Sequence, residues 1–235
     1  MLVSHLHKFI YIKAFKVGGT STELFFQPFC QPASERLSEA TNGFEGKEGI
    51  VGARARFTDG RDRPRFWNHM TAADIYKAIG AGTFDAYFKF ANVRNPFDLA
   101  TSAAFQLAKQ EGKNIKRLAR IGPWLDRFLS QKNPQTTRVT QSGAVVLDDV
   151  IRFEDLDNEC HRIASKLGIP SANTATFPHL KARKSPIDPE ALFDLWTESR
   201  RDRLIEKEAA YFEAFGYSKS IDDAFPETPN VRSMT

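Results

Sequence analysis

The stretch Lys16-Val17-Gly18-Gly19-Thr20-Ser21-Thr22 follows the apolar run Lys8–Ala14 and carries the residue types that grip an anion. Adjacent glycines let the backbone turn through positive φ, so that several N–H groups aim at one point. A helix starting at about Ser21 adds the partial positive charge of its first turn. Lys16 supplies a full charge, and the Thr20, Ser21 and Thr22 hydroxyls supply donors. Together with Gly18 and Gly19 they read as a phosphate cradle. The nucleotide-triphosphatase pattern Gly-x4-Gly-Lys-Ser/Thr is not met, because the lysine precedes the glycines and none follows Gly19. A glycine-rich turn with a solvated lysine is the plainer alternative.

A second pair of anion-binding types is Arg94 and Ser102, eight residues apart. Arg94 stands at the C-terminal end of a strand expected over Ala86–Val93, where parallel sheets bind ligands. Ser102 falls about two turns into the next helix. If that helix folds back along the site, both side chains hold one phosphate; a surface ion pair and a helix-packing serine are the alternatives. Arg54, Arg56, Arg61, Arg63 and Arg65 crowd the segment before His69, diluted by Asp59 and Asp62. Arg54 and Arg56 suit an acceptor cleft for an anionic glycan, since guanidinium forks carboxylates and sulfates. A solvated loop is the alternative.

Alternating strands and helices must position these residues, which predicts an α/β fold with a mostly parallel sheet flanked by helices. The spacing gives a first strand at Lys8–Ala14, then a helix to Phe26 that stops near Pro28. Residues 31–66 read as irregular. Thr71 to Asp74 resembles a capping box and opens a helix to Ile79, closed by the Gly80 and Gly82 region. Asn95-Pro96 caps a helix to Gln110, and another runs from Pro123 to Ser130. Val150–Phe153 reads as a buried strand, followed by a helix to Leu167. Asp188-Pro189 opens a last helical region ending near Tyr217. A single domain is expected over 1–217, with a frayed tail at 218–235.

The 235 residues include 33 Lys+Arg, 29 Asp+Glu and 20 Phe, and 41% are hydrophobic. That profile excludes a disordered chain and allows a sizeable core without staples. Two cysteines exclude a disulfide framework or a cysteine-based zinc site. No apolar run reaches the roughly 18 residues of a membrane span. MLVSHLHKFIYI lacks the pattern of a signal peptide, so the expected location is cytoplasmic; a Golgi-lumen enzyme trimmed of its anchor is the alternative. The net charge of +4 favours anionic partners without naming them. No nucleic-acid recognition motif is present.

Taken in order, the motifs resemble sulfotransferases that use 3′-phosphoadenosine 5′-phosphosulfate (PAPS), in the carbohydrate-type, family 2-like branch. Lys16-Val-Gly-Gly-Thr-Ser21 is similar to their 5′-phosphosulfate loop, and Val93-Arg-Asn-Pro…Ser102 to their 3′-phosphate motif. Val150-Ile-Arg-Phe-Glu-Asp-Leu156, Phe177-Pro-His-Leu180 and Phe215-Gly-Tyr217 look like later blocks of that branch. The likeness runs from about residue 8 to 217. Two departures stand out: Phe15 occupies the place of the family's proline, and no arginine stands near Leu99 or Ala100.

The resemblance implies a P-loop-like sulfotransferase fold and in-line transfer of a sulfuryl group to a hydroxyl, with no metal required. Lys16 then meets the leaving group's charge, while Gly18, Gly19, Thr20, Ser21 and Thr22 hold the 5′-phosphate. Arg94 and Ser102 read the 3′-phosphate, and Lys181, Arg183 and Lys184 close over that side. It implies His69 as general base, with Glu23 as the alternative, and His69 beside the acceptor. The acceptor implied is a carbohydrate hydroxyl. A small-molecule kinase and a non-catalytic nucleotide- or polyanion-binding module are the competing functions.

Overall fold

The computed structural model describes residues 1–38, 40–54, 64–113, 115, 120–132, 134–178, 180 and 189–224. They group into two compact units, Met1–Val93 with Thr137–Lys181, and Arg94–Thr136 with Ala182–Thr235.

The first unit carries strands β1 (Leu2–Ser4), β2 (Phe9–Ile12), β3 (Phe44–Glu45), β4 (Gly49–Val51), β5 (Phe88–Val93), β6 (Thr140–Gln141), β7 (Ala144–Val145) and β8 (Asp149–Arg152). Six of them form one sheet in the order β3-β4-β1-β2-β5-β8, and β6 pairs with β7 in a separate hairpin. β2 runs parallel to β5 with Phe9 opposite Phe88, and β5 runs parallel to β8 with Phe90 opposite Asp149. β1 is antiparallel to β2 and β4, and β3 is antiparallel to β4. The sheet is therefore mixed, which corrects the expectation of a mostly parallel one. The cause is connection length: a turn of four residues, 5–8, returns the chain beside β1, whereas parallel neighbours need a crossover.

The crossover from β2 to β5 carries α1 (Gly19–Phe26), α2 (Ala72–Ile79) and α3 (Ala81–Ala86). The Thr71 capping box forms as read, with the Thr71 hydroxyl accepting from Asp74 N–H and the Asp74 carboxylate accepting from Thr71 N–H. Residues 31–66, expected to be irregular, supply β3 and β4. Alternation puts Phe9 and Tyr11 on one face of β2. There Phe26 meets Phe9 at 5.7 Å and Phe90 at 5.0 Å between ring centroids. A helix after β8, Leu156–Lys166, closes this core with Cys160, Ile163 and Ala164.

The second unit is helical. It holds α4 (Pro96–Gln110), α5 (Gly122–Leu129), α7 (Pro189–Leu195), α8 (Glu198–Lys207) and α9 (Ala209–Phe215), with α6 denoting Leu156–Lys166 of the first unit. Asn95 caps α4 as expected, its side chain accepting from Phe97 N–H at 3.0 Å. Trp196 packs on Phe97 at 5.0 Å and donates its indole N–H to Thr101 at 3.2 Å. Asp126 of α5 binds Arg200 and Arg203 of α8 at 2.8 and 3.0 Å. Ile221 and Ala224 are buried, so this part of the expected tail is packed; residues 225–235 lie outside the described residues. No helix among the described residues is long and apolar enough to cross a membrane.

Glu208, just before α9, is buried; one oxygen accepts Gln135 N–H at 2.9 Å and the other has no partner. Burial lifts its carboxyl to about 7. The folded state thus holds a proton that the unfolded chain releases near 4.5, so stability falls as pH rises from about 4.5 through about 7. Glu208→Gln, which mimics the protonated acid, is expected to remove that decline, worth about 2–3 kcal/mol. Chemical denaturation at pH 5 and pH 8 measures it, and equal slopes in both proteins contradict the assignment.

Candidate functional site

β2 leads through Lys13 and Ala14 into the glycine loop. Val17 is turned inward, and its carbonyl accepts from the Asn92 side-chain amide of β5 at 2.9 Å. The same amide donates to the Thr22 hydroxyl at 2.7 Å. Asn92 therefore pins both the loop and the first turn of α1 to the sheet. With Val17 held inside, Lys16 is left half-buried at φ 61°. That left-handed conformation costs a lysine about 1–2 kcal/mol.

The two glycines answer different demands. Gly18 caps α1 at φ 74°, and a Cβ there would lie 2.6 Å from Leu156 Cδ1. A Cβ on Gly19 would lie 2.8 Å from Lys13 Cγ and 2.9 Å from the Tyr11 hydroxyl. The Lys13 chain crosses the head of α1 in that space. Ser21 N–H bonds back to Gly18 O at 3.0 Å, and the earlier N–H groups of α1 have no intrahelical acceptor.

Beneath the loop lies a buried charge cluster. Glu23 is fully buried, with the Met1 amino group at 2.8 Å, Lys13 Nζ at 2.6 Å and Arg54 Nε at 3.5 Å. Burial alone raises the Glu23 carboxyl, but the Met1, Lys13 and Arg54 charges outweigh it and hold the group below its usual range. Arg54 further donates to Ser38 O at 2.8 Å and to the Gln27 side chain. Lys13 Nζ also reaches Thr20 Oγ1 at 3.5 Å.

This cluster corrects three expectations. Glu23 is sealed from solvent and committed to three cations, so it is not placed as a base. The Arg54 side chain is 2% exposed, so it does not line an acceptor cleft. The Thr22 hydroxyl points into the core, between Asn92 and Cys160, rather than toward a ligand.

His69 lies against the same loop. Its Nδ1 is 3.2 Å from Lys13 O. A carbonyl only accepts, so Nδ1 carries the hydrogen and Nε2 keeps its lone pair. The imidazole packs against Phe15, directly before Lys16, at 4.3 Å between centroids with the rings tilted by 37°. Arg138 donates from Nη1 to His69 O at 2.6 Å and lays its guanidinium 4.1 Å from the Phe15 ring centre. Burial first, then the Lys13 and Met1 charges, push His69 down to about 3. The ring is neutral at physiological pH.

The remaining candidates are spread. Thr20 is half-buried at the head of α1, and Ser21 Oγ accepts Leu180 N–H at 3.1 Å. Arg94 and Ser102 belong to the second unit; Arg94 is buried and pairs with Asp98 at 2.6 Å, and Ser102 is half-buried on α4. Arg65 pairs with Glu45 on the surface at 2.7 Å. Arg56, Arg61, Arg63, His179, Lys181, Arg183 and Lys184 lie outside the described residues. Lys13, Asn92 and Arg138 are the residues that sequence reasoning does not single out.

One turn along α1, Leu24, Phe25 and Pro28 face Ala175, Thr176 and Pro178 across a groove of about 520 Å³. The Leu180–Ser21 bond ties that wall to the loop. Comparison with protein-family models, with curated proteins and with solved structures finds no match to this chain.

Two outcomes are expected. Gly19→Ala should lower stability by about 1–3 kcal/mol, because Lys13 has no room to yield toward Tyr11; an unchanged denaturation midpoint contradicts that packing. For His69, the unfolded ring takes a proton near 6.5 and the folded ring only near 3, so stability is full above 6.5 and declines as pH falls from there toward about 3. His69→Gln should lose that part of the acid-side slope, read from denaturation between pH 7 and pH 4.

Proposed function

We propose that this chain is a sulfotransferase that moves a sulfuryl group from PAPS to a hydroxyl of an acceptor, most suitably a carbohydrate. The observation that carries this reading is the contact between a neutral imidazole and the anion loop: His69 packs against Phe15, the residue that precedes Lys16. A base with an open lone pair and a cation beside a helix N-terminus are the two groups that in-line transfer needs.

The residues fit such a donor. Lys16, the Gly18-Gly19 turn and the first N–H groups of α1 form a cradle for the 5′-phosphate, with Thr20 at its edge. The groove beside α1 has the apolar lining and size to take a nucleoside base. His69 Nε2 takes the acceptor proton as the acceptor oxygen bonds to sulfur. The sulfur–oxygen bond to the phosphate breaks, and Lys16 meets the charge left on that phosphate. Burial is the larger cause of the low His69 pKa, and an anion held in the loop offsets the smaller one, the Lys13 charge, which raises the proton affinity of His69 when donor is bound. By the resemblance, a 3′-phosphate is what separates this donor from AMP and ATP.

Thermal melts with 3′-phosphoadenosine 5′-phosphate (PAP), with AMP and with ATP plus magnesium test the donor site. PAP at one hundred times its dissociation constant should raise the midpoint by about 5–10 °C, and AMP by much less. A rise with ATP alone moves the reading to a kinase, and no rise with any of them contradicts it. Lys16→Ala should cut turnover by about 100-fold or more with little loss of stability; full turnover removes Lys16 from the chemistry.

A further inference from the structure

The wall of the groove beside α1 meets α6 at His161. The imidazole packs edge-on against Phe25 of α1 at 5.0 Å between centroids. Its Nδ1 is 2.9 Å from Asp157 O and 3.0 Å from Asp157 Oδ1, and its Nε2 is 3.1 Å from Ala175 O. Carbonyl and carboxylate oxygens only accept. The arrangement is therefore satisfied when both ring nitrogens carry hydrogen, as in the imidazolium. A neutral ring keeps its hydrogen at Nδ1, where a carbonyl and a carboxylate both accept it. The Nε2 lone pair then faces the Ala175 oxygen, and a bond becomes a repulsion between two acceptors.

Ala175 stands at the root of the groove wall. Its N–H closes the short helical turn Pro170–Thr174 on Ala172 O at 3.1 Å, and with Thr176 and Pro178 it lines the groove. Phe177 between them is buried, and Leu180 N–H bonds Ser21 Oγ at the head of α1. Ala175 O thus ties the wall to α6, and Leu180 N–H ties it to α1. The other charged groups of the elements around His161 are engaged elsewhere. Arg162 and Lys166 of α6 pair with Asp149 of β8, Glu159 pairs with Arg162, and Glu23 of α1 is closed in its own cluster. The turn 170–174 has no titratable residue, and Arg36 is the charged residue of the groove lining.

We propose that His161 is a proton-operated clasp on the groove: as an imidazolium it ties the 175–180 wall to α6, and on losing its Nε2 hydrogen it releases that wall, so the groove holds its ligand less tightly as pH rises. Histidine is the side chain that exchanges such a proton in the physiological range. The ligand is held only by the fraction of molecules whose wall is closed. The inference rests on the sulfotransferase reading only in taking PAP as that ligand.

Nitrogen NMR of the unaltered protein tests the clasp directly. Both His161 ring nitrogens should carry hydrogen at pH 5.5, and Nε2 should be the one that empties as pH rises. Exchange protection of the Ala175 and Leu180 amides, corrected for the intrinsic effect of pH, should fall about tenfold between pH 6 and pH 8.5. His161→Gln has no proton to lose there and should show no such fall. It also serves as the reference for every other group that titrates in this range, Glu208 and the PAP phosphates included. Relative to that variant, the unaltered protein should lose about threefold or more of its calorimetric affinity for PAP over the same range. Emptying of Nδ1 instead, a protection that does not change with pH, or a fall that persists in His161→Gln overturns the clasp. So does a PAP affinity with the same pH dependence in both proteins. A protection change that follows His161, with no PAP binding at either pH, keeps the clasp and removes the donor reading.

Discussion

The buried pair of Lys13 and Glu23 is the interaction on which the site is built. It draws the lysine chain across the head of α1, in the space that Gly19 leaves open. It turns a carboxylate near the loop into a structural counter-ion. The Lys13 carbonyl then orients the His69 imidazole, and burial first, with the Lys13 charge second, keeps that ring neutral. Breaking one half of such a pair leaves an uncompensated charge in the interior, which costs about 3–5 kcal/mol. One residue thus links the strand, the glycine loop and the candidate base.

The layout follows from that constraint. A cluster with Lys13 and Arg54 against one carboxylate is cationic beneath a loop that already carries Lys16 and a helix N-terminus. In a low-dielectric surround these charges favour an anion above them more than they would in water. Burial, and after it the same field, suppresses protonation of His69, so the imidazole is neutral at physiological pH. Phe15 packs against His69 and under the Arg138 guanidinium, and these contacts brace the start of the loop.

Much of the frame was legible in the sequence because it rests on local signals. Thr71-Ala-Ala-Asp74 and Asn95-Pro96 mark helix starts whose caps form as read, and α4 spans the expected residues. β1 was not legible, because three residues, Leu-Val-Ser, carry too little periodicity to mark a strand. β3 and β4 were hidden for the same reason within a polar segment, and they make the sheet mixed. Lys16, Gly18, Gly19 and His69 stand out by residue type and order, and the structure places His69 against the loop that carries the other three. The true task of Glu23 was not, since a carboxylate one turn into a helix looks the same in sequence whether it faces solvent or a buried lysine. A signal did exist for Lys13: it directly follows a strand whose residues are apolar on both faces, so a charge there enters the interior and needs a partner. Arg138 meets His69 across 69 positions of chain, and no local pattern reports such a contact.

Transfer itself is the decisive measurement. The unaltered protein is incubated with PAPS and a pool of neutral and acidic oligosaccharides, and both nucleotide and sugars are read by mass spectrometry. The account predicts acceptor-dependent formation of PAP, matched by a gain of one sulfuryl group on a sugar and lost in Lys16→Ala. PAPS left intact by a protein that binds PAP saturably contradicts it, and would leave the loop an anion site without the chemistry.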